Sequence, residues 1–165
     1  MMATAPGSAS RDGARHDVAA RQRWLAILAR ASLSELESAW DGVAEKPRYA
    51  LLRPTESGLA LVRGRIGGTG QPFNLGEMTM THAAVQLRRP GGDPVIGFAY
   101  IAGRQARRAE LVAVFDAMLQ LPEHPDRIAE RVIAPLAARQ SADKGAMARK
   151  IAASKVEFFT VVRGS

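Results

Sequence analysis

Two stretches of this chain carry the residue types that handle anions. The first is Gly64-Arg65-Ile66-Gly67-Gly68-Thr69-Gly70. Glycines let a backbone turn sharply and bring its amides close to a negative group, and Arg63 and Arg65 flank the turn with positive charge. Arg65, Gly67, Gly68, Thr69 and Gly70 are therefore phosphate-binding candidates. The segment that follows, Gln71-Pro72-Phe73-Asn74, does not open a helix, and the loop contains no lysine. Both features exclude a dinucleotide fingerprint and a P-loop. The same glycines also suit a wide turn at a sheet edge. The second stretch is Gly103-Arg104-Gln105-Ala106-Arg107-Arg108. It puts three arginines where a helix begins, against the helix dipole. An anion held there would reverse the sign of that effect; without one they are solvated side chains near Glu110. Arg104 is the candidate from this group.

Other chemistry is poorly represented. No cysteine is present, which removes disulfides, thiolate metal sites and cysteine nucleophiles. His16, His82 and His124 are not at metal-ligand spacing, so no metal site is expected. His82 falls in a strand pattern and reads as a sheet or surface residue. Asp116 and Glu110 lie six apart and do not share a helical face. No serine occupies a nucleophile elbow. These observations point to a subunit or binding module rather than a self-sufficient enzyme.

The elements that must position these residues follow from periodicity. Residues 17–31 repeat at helical spacing. A second helix is expected to open at Ser34, with Ser34 and Glu37 as its capping box, and to end before Pro47. Trp24, Leu28, Leu36 and Trp40 form the seam of this pair. Residues 48–53 and 59–66 read as strands joined through Thr55-Glu56-Ser57-Gly58 as a hairpin. Residues 77–88 alternate, with a slip of phase near Ala83-Ala84 that implies either a bulge or cover on both faces. Pro90 to Pro94 turns, and 95–102 is an apolar strand. Helices follow at 104–121, 126–133 and 136–153. Val156 to Val162, VEFFTVV, reads as a final strand or a helix end that docks. The expected fold class is α+β: an antiparallel sheet of about four strands, a meander, packed with N-terminal and C-terminal helices. One such domain covers 16–165, after a disordered leader at 1–15.

Composition limits the partners. The chain has 165 residues and a formal charge of +7, and 19 of its 23 basic residues are arginine. Residues 1–82 carry net +2 and residues 83–165 net +5, so the second half is where an anionic partner is expected. No apolar run approaches the roughly 18 residues of a membrane span, and no signal peptide opens the chain. A cytoplasmic protein is expected. The charge raises a rival reading as a basic nucleic-acid- or nucleotide-binding module. Aromatic residues are only 5% and sit in apolar patterns, which argues against base stacking.

Several short stretches together resemble the PhnG family of the bacterial carbon–phosphorus lyase system. They are Arg21-Gln22 with Trp24, Arg65-Ile66-Gly67-Gly68-Thr69-Gly70, Thr79-Met80-Thr81 followed by Ala83 to Leu87, Gly103-Arg104, Ala109-Glu110, Ile133-Ala134-Pro135-Leu136, and Phe158-Phe159-Thr160 with Val162-Arg163-Gly164. The stretch before residue 16 and the Pro90–Pro94 turn depart from the family pattern as a longer start and a lengthened loop. The resemblance implies a subunit of a core complex with PhnI, PhnH and PhnJ. With PhnI, PhnH and PhnL it implies support for the transfer of phosphonate to the ribose C1 of ATP, with release of adenine. The product is α-D-ribose 1-methylphosphonate 5-triphosphate. It implies that PhnI is the catalytic component and that PhnJ, with an iron–sulfur cluster, later cleaves the C–P bond. This cysteine-free chain does not hold such a cluster. No cofactor is expected in this chain, ATP being a substrate of the complex, and no catalytic residue carries over. Arg65, Gly67, Gly68, Thr69 and Gly70, with Arg104, are then expected to line a subunit contact or a phosphate-bearing channel. The apolar C-terminus is expected to be buried in the assembly.

Overall fold

One strand organises the sheet, because it is twice as long as any helix-backed strand needs to be. In a computed structural model that describes residues 11–88, 93–121 and 125–154, β3 spans Pro72–Leu87. The other strands are β1 (Tyr49–Leu51), β2 (Glu56–Arg65) and β4 (Val95–Ala102). The helices are α1 (Arg11–Leu28), α2 (Leu33–Asp41), α3 (Ala106–Leu119), α4 (Pro125–Ile128) and α5 (Ala134–Ala153). The architecture is α+β, as the periodicity predicts. Among the described residues no helix is long and apolar enough to cross a membrane. Val156–Val162 and the Pro90–Gly92 part of the turn lie outside the described residues, as do residues 1–10 of the expected leader.

All pairings in the sheet are antiparallel. β2, β3 and β4 form the expected meander, but the expected hairpin between β1 and β2 does not form. Tyr49 pairs with Leu87 and Leu51 with Val85, whereas Glu56 pairs with His82 and Arg65 with Pro72. β1 and β2 thus share one edge of β3 end to end, and β4 takes the other. The Thr55–Gly58 stretch belongs largely to β2 rather than to a turn. Its residues have cross-strand partners: Ser57 Oγ lies 2.8 Å from Thr81 Oγ1, and Glu56 lies 3.3 Å from His82 Nε2. These pairings outweigh local turn chemistry.

The phase slip in β3 arises because Met78 and Met80 lie on the face away from the helices, where Ile96, Phe98 and Tyr100 are exposed, whereas Val85 and Leu87 lie on the helix face. Thr81, Ala83, Val85 and Leu87 are buried under the helices, and Ala84 is buried on the opposite face. Pairing with β4 is unbroken from Met80 to Leu87. The bulge sits elsewhere, at Leu75, where Val62 opposes Gly76 and Arg63 opposes Asn74.

The helical layer is centred on α3, which is buried from Leu111 through Leu119. Its all-round apolar sequence suits a helix covered on several sides. Gly97 of β4 permits its approach. A Cβ there would collide with the Ala113 carbonyl and lie 2.7 Å from the Ala117 nitrogen. α2 starts two residues earlier than expected. Ser32, not Ser34, is the N-cap: its Oγ accepts from Glu35 N at 3.3 Å, and its own N–H donates to Glu35 Oε2 at 2.8 Å. Both serines have a glutamate three residues on. Only the Ser32 choice sets Ala31 and Leu36 as a buried pair flanking the cap, an apolar staple. Pro135 does not separate two helices. α4, a π-helical turn at Ala129–Ile133 and α5 follow without a break. The wide turn accommodates a residue that has no N–H to give.

Two outcomes follow. Gly97→Ala drives a methyl into backbone and should cost about 3 kcal/mol, read from urea unfolding. The Ser32 hydroxyl and amide hold the Glu35 carboxyl below its ordinary 4.5. That stabilisation is complete above the ordinary value and is lost as pH falls through the lowered folded one. Ser32→Ala should therefore cost about 1 kcal/mol at neutral pH and less at pH 3, measured by the same unfolding.

Candidate functional site

The glycine segment forms the tip of a long two-stranded arm. β2 and β3 run out past the helical layer, and Arg65 opposite Pro72 is the last pair. The tip is a tight turn with a 3₁₀ segment at Ile66–Gly68. Gly67 and Gly68 have φ of 62° and 79°, which a side chain rarely adopts. A Cβ at Gly70 would lie 2.8 Å from the Ile66 carbonyl oxygen, which accepts from the Gly70 amide at 2.9 Å. Arg65 Nη1 donates to the Gly70 carbonyl at 3.0 Å and clamps the turn. Its other nitrogens have no partner among the described residues. Arg65, Gly67, Gly68 and Thr69 are exposed, Gly70 is half-buried, and Ile66 is 76% exposed. The tip thus presents a clamped glycine turn and an arginine to whatever the arm meets.

The second candidate group is dispersed. Arg108 Nη2 donates to the Ala29 carbonyl at 2.6 Å and Nη1 to Gln105 at 3.0 Å. It thereby ties α3 to the end of α1, where a cation meets the negative pole of that helix. Arg107 pairs with Glu110 at 3.2 Å and donates to the Tyr49 hydroxyl, which itself donates to Glu110 Oε1 at 2.7 Å. Burial first, then the hydrogen bond to Glu110, raises the Tyr49 pKa above its ordinary value. The Tyr49 hydroxyl foremost among its contacts raises that of Arg107. Arg104 is exposed. It follows Ala102, which pairs with Met80, so about eight residues of β3, on the order of 26 Å, separate it from the arm tip. The structure does not bring Arg104 and Arg65 into one site.

The polar centre that sequence reasoning missed is Asp116. Its side chain is fully buried, and both oxygens are occupied. Arg21 of α1 grips it with Nη2 at 2.6 Å and Nε at 3.0 Å. Trp24 Nε1 donates to Oδ1 at 2.8 Å, and the main-chain N–H of Phe98 donates to Oδ2 at 2.9 Å. Gln120 adds a bond of 3.3 Å. Two signals pointed to it: a lone aspartate in the apolar run Leu111–Leu119, and Arg21 with Trp24 one turn apart on α1. A carboxylate so fully engaged has no lone pair left for proton transfer. It is a joint between α1, α3 and β4.

A second joint gathers residues from β2, β3 and the β4–α3 turn. Thr81 Oγ1 donates to the Gly103 carbonyl at 2.6 Å and accepts from the Gln105 N–H at 3.1 Å. Gly103, with φ of 84°, donates its own N–H to the Thr79 carbonyl at 2.8 Å. Among the described residues no group of histidine, aspartate and glutamate is arranged for a metal. His82 contacts Glu56 as a cross-strand pair. His16 lies in α1, and His124 lies outside the described residues.

Residues 19–164 match the model of a family described as phosphonate metabolism protein PhnG. The chain is also similar to a protein of Rhizobium meliloti (strain 1021) named alpha-D-ribose 1-methylphosphonate 5-triphosphate synthase subunit PhnG. Identity is 44% over 147 residues, covering 89% of this chain and 91% of that one. The matched span contains both joints and the arm.

Removing either the Asp116 carboxylate or its arginine tests what holds this joint. Asp116→Ala leaves the Trp24 and Phe98 N–H groups and the Arg21 charge without their acceptor. It should lower the unfolding free energy by about 4 kcal/mol, as loss of a buried charge partner does. Arg21→Ala should cost less, because Trp24, Phe98 and Gln120 still satisfy the carboxylate. Denaturant unfolding of the two variants orders them.

Proposed function

The chain belongs to the PhnG family of phosphonate metabolism proteins, and from that membership we propose that it is a subunit of an α-D-ribose 1-methylphosphonate 5-triphosphate synthase. In that reaction a phosphonate oxygen bonds to ribose C1 of ATP while the bond from C1 to adenine breaks. Adenine leaves and the triphosphate stays in place. The 44% identity to a protein bearing that name, over most of both chains, carries the reading. The partners are PhnI, PhnH and PhnJ in a core complex, with PhnL joining for the transfer.

Within that assembly the chain's own part is structural and accessory. Its Asp116, Glu110, Arg107 and Arg108 are spent on joining elements. The arm is the feature left for a partner. It exposes Leu59, Leu61 and Leu75 along its length and Arg65 at its tip, an unusual amount of apolar surface for two strands facing water. The apolar flank suits another subunit. The free nitrogens of Arg65, beside the glycine turn, suit a phosphate oxygen at the end of the reach.

Arg65→Ala tests this role. In the complex co-expressed with PhnI, PhnH and PhnJ and supplied with PhnL, adenine release from ATP and methylphosphonate should fall about tenfold or more. That is the loss of one charge-assisted hydrogen bond, about 1.5–3 kcal/mol. Alternatively the complex fails to form in a pull-down, which places the residue in the subunit contact. An assembled complex with parental adenine release means the tip is only a turn.

A further inference from the structure

The two long edges of the sheet are finished differently. Along β4, Asp116 accepts the outward Phe98 N–H, and Gln120 Nε2 donates to the outward Ile96 carbonyl at 3.1 Å. Side chains of α3 and its C-cap thus occupy peptide groups that invite another strand when left bare. β2 has no such guard. It carries no proline and no lysine, and the bulge at Leu75 lies on β3, so β2 keeps an unbroken alternation. Its only extended packing among the described residues is on β3.

The hydrogen-bond phase shows which groups are open. On the β4 side of β3, the Gly103 N–H donates to the Thr79 carbonyl; on the β1 side, the Leu52 N–H donates to the Ala84 carbonyl. Odd residues of β3 therefore bond β4, and even ones bond β1 and β2. Glu56, Gly58 and Ala60 lie opposite His82, Met80 and Met78, so their main-chain groups are used on β3. Ser57, Leu59 and Leu61 turn theirs outward. Neither the N–H nor the carbonyl of these three has a partner among the described residues. From Ser57 to Leu61 the open edge runs about 14 Å. Leu59 and Leu61 flank it on one face, 69% and 56% exposed. Arg63 follows on that face, exposed and without an ion pair among the described residues.

We propose that β2 receives an extended segment of another synthase subunit as an added strand, an inference that rests on the chain's being one subunit of that enzyme. What the segment meets sets its chemistry. Its main chain pairs with Ser57, Leu59 and Leu61. On the face of the two leucines it carries apolar residues, and at the next position on that face, opposite Arg63, a carboxylate. On the other face a Cβ at Gly58 would touch nothing within 4 Å, so there is room for a large side chain. Charge separates this occupant from a second copy of the chain. Paired strands set side chains of one face against each other, and β2 has no acid on the face of Arg63, because Glu56 lies on the opposite one. Two copies of β2 would bring arginines and no carboxylate to that row, whereas a strand bearing Asp or Glu there completes it.

Amide hydrogen exchange tests the added strand, on the chain alone and in the complex co-expressed with the other synthase subunits. The Ser57, Leu59 and Leu61 amides should exchange about tenfold or more slowly in the complex. Those of Val112–Phe115 in α3, buried in both, are the internal reference. An assembled complex in which the three amides exchange as in the lone chain overturns the proposal and leaves the subunit reading standing. A parent chain that joins no complex overturns both. Protection that appears in the lone chain as its concentration rises assigns the edge to a second copy and also overturns the proposal. Two variants separate main-chain pairing from side-chain packing. Leu59→Pro deletes an outward donor and spares the bonds to β3, whereas Leu59→Ala keeps the donor and removes the side chain. With α3 amides protected as in the parent, the proline should lower recovery of the complex in a pull-down about tenfold, and by more than the alanine does. A proline no worse than the alanine counts against the added strand.

Discussion

A single buried carboxylate decides how α1, α3 and β4 meet. Asp116 sits in the middle of an apolar helix, where an isolated charge costs far too much to keep. It is kept because α1 brings Arg21 and Trp24, and β4 brings a main-chain N–H that has no strand partner. Each donor solves a problem of its own on the same acceptor. The guanidinium finds a counter-charge, the indole N–H is satisfied, and the edge of the sheet is capped. Alternative placements of α1 would leave several of these groups unsatisfied at once. The interaction therefore fixes geometry more than it adds stability.

Much of this was legible in the sequence and some of it could not be. β4 begins and ends where its apolar run does, and the main body of α3 follows its apolar spacing. The glycine turn was legible because Gly67 and Gly68 need a conformation that few residues adopt. The hairpin assigned to Thr55–Gly58 failed because turn propensity is local, whereas Glu56 and Ser57 are claimed by His82 and Thr81 far along the chain. The cap of α2 was misplaced by two residues for a subtler reason. Two serines satisfied the same motif, and only the burial of Ala31 against Leu36 separates them. Asp116 does not stand out beside Glu110 on its own helix, because two of its partners, Arg21 and Trp24, are ninety-odd residues away.

For the candidate site the division is sharper. The sequence indicated that Arg65–Gly70 and Arg104 carry anion-binding chemistry. It held no information about distance, and the two lie at opposite ends of a stretch of β3. The residues around Arg104 proved to serve the frame: Arg108 closes α1, Arg107 completes a trio with Tyr49 and Glu110, and Thr81 anchors the turn at Gly103. Motifs scattered through the chain, such as Thr79–Thr81 and Gly103-Arg104, become one locus once the strand register is known.

The arm has a mechanical consequence. Among the described residues no helix covers the arm from Pro72 to Met78, which is exposed, and a two-stranded ribbon is held only by its own ladder. It behaves as a cantilever clamped at Thr81, with the Leu75 bulge as a point of added twist. Small rotations at the clamp become displacements of ångströms at the glycine tip, while the tip itself is stiffened by its own internal bonds. A rigid fingertip on a compliant beam can follow a partner through a reaction cycle without the body of the protein having to move.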